Sequence, residues 1–296
     1  MYRYCQGFAN YLQQENFSHS TLYNYIHALN EFIKWAKVSL ENLTTTKIIG
    51  YKSYLNEKGY SIQSINIRLN GIRKFLHYLD YIDVKALPKS KITIMKRPER
   101  YIDVLTPQEI EQILNAKPIQ SLKDYRDRAL IDFLYSTGCR IGEVHSINLW
   151  EIDWRNKEVQ VIGKGRKRRM VYFSERAKIH LQEYLQMRND DQVALFTNTQ
   201  KPRANGDMRL SIVSCEVTVR EWVQLSGITK KVTCHTLRHS FATNMLRNGA
   251  DIRSVQLMLG HDDIKTTQGY LHFGNQELNR TYNTFFTARP KTLQLV

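Results

Sequence analysis

Between Lys85 and Asp103 the hydrophobic periodicity of this chain stops. The stretch KALPKSKITIMKRPER carries two prolines and six basic residues, Lys85, Lys89, Lys91, Lys96, Arg97 and Arg100. An amphipathic helix does not continue through such a run, because proline removes a backbone donor and drives the residue before it toward extended geometry. The 296 residues therefore divide into a helical first third (1–84), a basic linker (85–104) and a longer segment of mixed structure (105–296).

Composition narrows what such a chain is for. A hydrophobic content of 42% supplies a packed core. The formal net charge of +15 and pI of about 9.6 suit a polyanion binder better than an enzyme of small metabolites. On that reading the linker is an extended, phosphate-tracking tether that lets two domains close around a duplex. Cys5, Cys139, Cys215 and Cys234 are widely separated and form no CxxC pair, which argues against a zinc ribbon and a disulfide framework. The opening MYRYCQGFANYLQQEN has no apolar signal core, and no window approaches a membrane span. The expectation is a protein of the reducing cytoplasm with no membrane partner.

In the first third, a helix is expected near Tyr2 to Gln14. In a second, Leu22, Ile26, Leu29 and Ile33 recur at helical spacing behind a cap at Ser20 or Thr21. A third spans Thr46 to Lys58, ended by Gly59. The fourth spans Ile62 to Leu79, with Ile65, Leu69, Ile72, Leu76 and Leu79 facing inward. Asn66, Arg68, Asn70, Arg73 and Lys74 also lie on this fourth helix, which makes it the candidate to read bases in a groove.

Beyond the linker, Thr106-Pro107 opens a helix with a capping hydroxyl, a first-turn proline and Glu109. Another runs from Leu122 to Tyr135 and stops at Gly138. Lys157 to Gly163 and Met170 to Phe173 alternate apolar and polar residues, which predicts two strands of a hairpin with a cationic tip. Helices are expected from Glu175 to Arg188, Met208 to Leu225, His235 to Arg247 and Ile252 to Leu259. Tyr270 is placed on or beside a short helix, and Asn275 to Phe286 forms one more.

The chemistry concentrates in HTLRHSFATNML, which begins at His235, and in LGHDDIKTTQGY, which contains His261 and ends at Tyr270. Any of 17 tyrosines could be a packed phenol, so the position of Tyr270 behind this polar box is what singles it out. A phenol with a pKa of about 10 attacks only when a base or nearby cations favour its phenolate. Arg140, His235 and Arg238 supply that environment. A phosphodiester gains charge on its non-bridging oxygens as it is attacked, and two guanidiniums, Arg140 and Arg238, neutralise them with fork-shaped hydrogen bonds. Arg238 follows His235 by one helical turn, so both project from one face. His261 adds a hydrogen-bond donor. Lys164, between two glycines at the hairpin tip, reaches into a groove as general acid to the leaving oxygen. Arg166, Lys167, Arg168 and Arg169 form a basic run beside it that holds phosphates.

A metal reading competes, since His235 and His239 stand at i, i+4 as in zinc-binding helices. Thr236 occupies the position where a zinc protease needs glutamate, and no carboxylate cluster supplies a third ligand. No metal is expected, and His239 reads as a packed histidine supporting its helix.

These boxes resemble those of the tyrosine recombinase family, the phage-integrase and Xer-like enzymes. HTLRHSFATNML is similar to its His-x-x-Arg box, LGHDDIKTTQGY to its histidine-to-nucleophile box, TGCRIGEV to its first-arginine box and GKGRKRR to its lysine hairpin. The likeness runs from Thr106 to Tyr270, and the helical first third is similar to the core-binding domain that precedes this catalytic domain. The implied fold is mostly α with a small β-hairpin or sheet: a helical SAM-like core-binding domain plus an α+β catalytic domain. The resemblance implies Arg140 and Arg238 as phosphate clamp, Lys164 as general acid and His235 as assistant in proton transfer from Tyr270. It implies His261 as a phosphate donor, Tyr270 as nucleophile and Glu143 as an acidic residue organising the site from behind. The implied product is a 3′-phosphotyrosyl link and a free 5′-hydroxyl. One phosphodiester is exchanged for another, nearly isoenergetically, so neither ATP nor any other cofactor is required. The implied partner is double-stranded DNA with a specific core site. The implied assembly is a homo-tetramer, or a hetero-tetramer with a related recombinase, exchanging strands between two duplexes through a Holliday junction.

Gly269 departs from the family pattern, which commonly has an apolar residue before the nucleophile. The extra amino-terminal arm-binding domain of lambda-type integrases is not expected, which favours a simple core-site recombinase. Two rivals share parts of this signature: a type IB topoisomerase that reseals one duplex, and an integrase relative that binds DNA without cutting.

Overall fold

The computed structural model describes residues 1–96, 103–163, 165, 167–199 and 206–260. Two compact units emerge, Met1–Arg100 and Tyr101–Val296.

The first unit is built on α1 (Cys5–Gln14), α2 (His19–Ala36), α3 (Thr45–Glu57) and α4 (Ile62–Tyr81). Hydroxyl caps set three of the starts: Ser18, Thr44 and Ser61 accept from the backbone N–H groups of Thr21, Lys47 and Ser64. The cap of α2 thus lies before the expected Ser20 or Thr21, because three hydroxyls crowd that turn and Ser18 has the extended backbone a cap needs. The inward row of α4 is as its spacing predicts: Ile65, Leu69, Ile72, Leu76 and Leu79 are all buried, against Phe8, Leu12, Leu29, Phe32, Tyr51 and Leu55.

Two expectations are corrected in this unit. The first concerns the basic stretch, whose described part, up to Lys96, is no open tether. Ile92 is buried in the helical core, and Val84, Leu87, Ile94 and Met95 pack on it. Lys52 Nζ donates to the Thr93 carbonyl (2.6 Å) and hydroxyl (2.9 Å). The apolar residues between the basic ones decide the outcome, since burying them outweighs the chain's extended freedom. Arg97 to Ile102 lie outside the described residues.

The second correction concerns base reading. Asn66 is fully buried and holds both backbone groups of Met95: its Nδ2 donates to the Met95 carbonyl and its Oδ1 accepts from the Met95 N–H, each at 2.9 Å. It is a staple inside the unit and presents nothing to DNA. Arg68 is committed to Glu31 (2.7 Å) and lies 4.0 Å over the Tyr60 ring. Lys74 donates to Tyr11 Oη (3.2 Å) and sits over the Phe17 ring. Arg73 is half-buried.

The second unit contains α5 (Pro107–Leu114), α6 (Leu122–Thr137), α7 (Ile141–Ser146), β1 (Ile152–Asp153), β2 (Glu158–Ile162), β3 (Arg168–Tyr172), α8 (Glu175–Met187), α9 (Ile212–Leu225), α10 (Cys234–Arg247) and α11 (Ile252–Leu259). A capping box between Thr106 and Glu109 opens α5, and Gly138, in the left-handed conformation, closes α6. The strands form one antiparallel sheet in the order β1-β2-β3, with Val159 opposite Val171 and Val161 opposite Arg169. Val159, Val161 and Val171 join Phe133, Leu181, Tyr184 and Trp222 in the core. Arg176 forks onto the buried carboxylate of Asp132 and His180 Nδ1 lies 3.0 Å from it, which ties α8 to α6.

Here too the structure amends the expected boundaries. β3 begins at Arg168, so half of the basic run belongs to a strand rather than a tip. Helix α9 begins at Ile212 instead of Met208, because the preceding residues pair as extended chain: Thr197 bridges Arg209, and Leu210 N–H donates to the Phe196 carbonyl. The six-residue α7 and two-residue β1 fall below the length at which periodicity is visible. Lys164, Arg166, His261, Tyr270 and the expected Asn275 to Phe286 helix lie outside the described residues. No helix among the described residues is long and apolar enough to cross a membrane.

Replacing Asn66 by alanine tests the staple. It strips both partners from a backbone segment against the core, a loss of about 1–3 kcal/mol. Urea unfolding of the full chain should show that loss, while preference among DNA sites stays unchanged. An altered base preference at undiminished stability would return Asn66 to a DNA-reading role.

Candidate active site

The site begins where α6 ends. Gly138 has φ +60°, and a Cβ there would run into the Phe241 ring of α10, so the turn admits only glycine. The reversal delivers Arg140 to the start of α7, where its N–H donates to Glu143 Oε2 (2.8 Å) and its Nη1 to Oε1 (3.1 Å). Across from it, α10 supplies Arg238, buried along its whole length, whose Nη1 donates to the Gly138 carbonyl and Nη2 to the Leu259 carbonyl, each at 2.7 Å. The expected start of α10 moves back one residue because Thr233 caps it, accepting from Thr236 N–H.

The C-terminus of α11 is the acceptor side of the site. Its last carbonyls carry the partial negative charge of the helix dipole, and Gly260 caps it in the left-handed conformation. Arg169 Nε donates to the Met258 carbonyl (2.8 Å), Arg238 to that of Leu259, and Arg140 reaches the carbonyls of Leu259 and Gly260 at 3.5 Å. Three guanidiniums from three elements thus converge on one helix end.

Glu143 is the counterion to this cluster. It is buried, and Arg169 grips it with two parallel bonds, Nη1 to Oε1 at 2.8 Å and Nη2 to Oε2 at 2.7 Å. Burial by itself would raise the Glu143 carboxyl; the Arg169 fork, the Arg140 N–H and both positive charges outweigh it and hold the pKa below the ordinary carboxylate value.

Arg140, His235 and Arg238 line one cleft of about 480 Å³, together with Cys139, Glu216 and Arg220. His235 stands at its mouth, open to solvent on one side, with the His239 ring edge-on at 4.6 Å between centroids. Burial of its inner side, then the charges of Arg238 and Arg140, lower its pKa from 6.5. The imidazole is therefore neutral at pH 7 and able to accept a proton. Burial pushes the Cys139 thiol up to about 11 and those of Cys215 and Cys234 up to about 12, so cysteine is no nucleophile here. Among the described residues no three His, Cys, Asp or Glu side chains gather as a metal-ligand set.

Of the sequence-predicted residues, Arg140, Glu143, His235 and Arg238 come together as one site. Arg168 points outward on β3 opposite Ile162, and the Lys167 carbonyl accepts from Gly163 N–H at 2.8 Å. Arg169 does not belong with the phosphate-holding run: it faces inward, committed to Glu143 and Met258. The signal was available, because Arg169 lies two residues before the buried Val171 and strand side chains on one face recur every second residue. The lining residues Glu216 and Arg220 carried no such signal, being separated in sequence from every box.

Residues 103–277 match the phage integrase family, and residues 5–80 match the phage integrase N-terminal SAM-like domain. The chain belongs to the tyrosine recombinases of the phage integrase family. This recombinase is 32% identical to the tyrosine recombinase XerD of Oceanobacillus iheyensis, over 95% of this chain and 97% of that one. It is 31% identical to the tyrosine recombinase XerC of Mannheimia succiniciproducens, over 96% and 97%. Among solved structures it is similar to XerA recombinase, with a TM-score of 0.55 and 30% identity over 97% of this chain and 99% of that one. The fold is also that of the XerH site-specific recombinase bound to palindromic difH substrate, with a TM-score of 0.73 over 95% and 85% of the two chains at 22% identity.

The lowered pKa of His235 has a measurable consequence. Its imidazole resonances should titrate with a midpoint below 6.5, and Arg140→Ala, which removes one of the opposing charges, should move that midpoint upward. Because the folded value is depressed, the stability His235 contributes is intact above pH 6.5 and is lost as pH falls from there through the folded midpoint. A midpoint at or above 6.5 would contradict the neutral, proton-accepting histidine.

Proposed function

We propose that this recombinase cleaves and rejoins double-stranded DNA at a specific core site, with Tyr270 attacking the phosphodiester to leave a 3′-phosphotyrosyl link and a free 5′-hydroxyl. The observation that carries the reading is the convergence of Arg140, Arg238 and His235 on one cleft beside the α11 terminus, from which the sequence runs on to His261 and Tyr270.

The guanidiniums of Arg140 and Arg238 bind the non-bridging oxygens of the scissile phosphate as charge builds on them. They are already held by the Gly138, Leu259 and Gly260 carbonyls and by Glu143, so little reorganisation is needed when phosphate arrives. His235 takes the Tyr270 proton, His261 donates to the phosphate, and Lys164 gives a proton to the leaving 5′-oxygen. A second 5′-hydroxyl then attacks the phosphotyrosyl link and regenerates the phenol. Four copies on two duplexes, identical or paired with a related recombinase, would exchange strands through a Holliday junction, in integration, excision or resolution. XerH was solved with its difH substrate after cleavage, and lambda integrase as a dimer on a core site, which supports a DNA-bound, multi-copy reading. The SAM-like first unit favours the recombinase over a topoisomerase that reseals one duplex. Arg166, Lys167 and Arg168 remain the proposed backbone contacts, Arg73 remains the proposed base reader of α4, and the basic chain is DNA-associated in the cytoplasm.

Tyr270→Phe should bind DNA normally yet form no covalent adduct on a nicked suicide substrate; an adduct from this variant, or wild-type attachment through another tyrosine, would sink the assignment. Arg140→Ala or Arg238→Ala should slow single-turnover cleavage by at least ~10²-fold, and Lys164→Ala by roughly 10²–10⁴-fold. A substrate with a 5′-bridging sulfur leaves without a proton, so it should restore cleavage to Lys164→Ala and not to Arg140→Ala. Equal rescue of both would remove Lys164 from the general-acid role.

A further inference from the structure

The Arg169 guanidinium is packed between two glycines. A Cβ on Gly163 would stand 3.2 Å from Glu143 Oε1 and 3.3 Å from Arg169 Nη1, and one on Gly260 would meet Arg169 Cδ, Nη1 and Nε at 3.0, 3.1 and 3.2 Å. In sequence Gly163 immediately precedes Lys164, and Gly260 immediately precedes His261. The same guanidinium forks onto Glu143, the carboxylate that holds both the backbone and the side chain of Arg140. Its third nitrogen, Nε, donates to the Met258 carbonyl in the last turn of α11. The Arg169 side chain is 12% exposed, and all three nitrogens are committed to acceptors of the protein.

We infer that Arg169 is a positioning residue for strand cleavage, a side chain that sets in common register the backbone before Lys164, the backbone before His261 and the carboxylate that grips Arg140. The inference rests on the proposed roles of those three residues. It needs a planar group with donors at fixed angles in two directions, which guanidinium has and an ammonium lacks. The sheet makes the placement possible: Arg169 shares the inward face of β3 with Val171, so its stem starts inside the unit and its head ends at the α7–α11 junction. Glycine at both flanks lets two backbones close onto the flat guanidinium.

Arg169→Lys separates geometry from charge, since it leaves the buried Glu143 opposite a cation while abolishing the fork. The variant should bind core-site DNA with unchanged affinity and an unchanged dependence on salt. Arg169→Gln, which removes the charge, should likewise leave the salt dependence unchanged; loss of a phosphate contact would instead flatten the slope of log affinity against log salt by about 0.9, and that result would overturn the inference. Single-turnover cleavage of the nicked suicide substrate should fall roughly 10²-fold, the scale of an ångström-sized misplacement of reacting groups. The 5′-bridging sulfur substrate should recover part of that loss, because a displaced Lys164 is no longer needed. Loss from Glu143→Gln should not add to it, because the two residues act as one unit.

Lys164→Ala, run in parallel, keeps the two readings apart. If sulfur restores Lys164→Ala but leaves Arg169→Lys unimproved, the positioning role is wrong. If sulfur restores neither, the general-acid role of Lys164 falls, and additivity with Glu143→Gln decides Arg169: additive losses reject it and non-additive losses support it. Should Arg169→Lys fail to fold, Gly163→Ala asks the same question by crowding Arg169 Nη1 and Glu143 Oε1 from the Lys164 side. Slowed cleavage with intact DNA binding would support the inference, and full-rate cleavage would overturn it.

Discussion

A buried carboxylate between two arginines holds the catalytic unit's working parts in place. Glu143 meets the fork of Arg169 and the side chain and N–H of Arg140. An ion pair withdrawn from water is stable only when its geometry is good and its remaining donors and acceptors are occupied. Here both conditions hold: the two parallel bonds are short, and the third Arg169 nitrogen ends on the Met258 carbonyl. The consequence is a rigid junction among β3, α7 and α11.

Three guanidiniums with a single carboxylate, which touches only Arg140 and Arg169, leave the junction with an excess of positive charge, which ordinarily destabilises a partly buried site. The end of α11 relieves it. Its terminal carbonyls lack helical partners and point toward the arginines, so each group supplies what the other lacks. The site is therefore cationic and braced by the fold's own groups. The same field, added to the burial of its inner side, keeps His235 neutral.

A chain of net charge +15 has many cations to distribute, and the fold sorts them. Arg68, Lys74, Arg169 and Arg176 are held by carboxylates or aromatic faces inside their units, whereas Arg168 faces outward beside them. Neighbours in sequence take opposite fates because a strand alternates its faces. Asn66, one residue from the exposed Ile67, is turned inward by the spacing of a helix. Residue type alone thus overstates the nucleic-acid surface, and the overcount falls on the residues whose side chains meet partners distant in sequence.

The sequence by itself determined the elements whose causes are local. The cap at Thr106, the glycine stop at Gly138 and the inward row of α4 all act within a turn or two of chain, so they were legible before any packing was known. The pairing of Arg238 with His235 was legible for the same reason, since one helix presents both. Tertiary structure alone decided that the 85–96 stretch packs on the helical unit, that residues 208–211 extend before α9, and that Asn66 and Arg169 are internal. It also decided that α11 offers its end to three arginines. Each of those outcomes compares a local preference with burial, charge pairing or a backbone bond across 12 to 120 residues of sequence. That comparison has no value until the distant partner is in place.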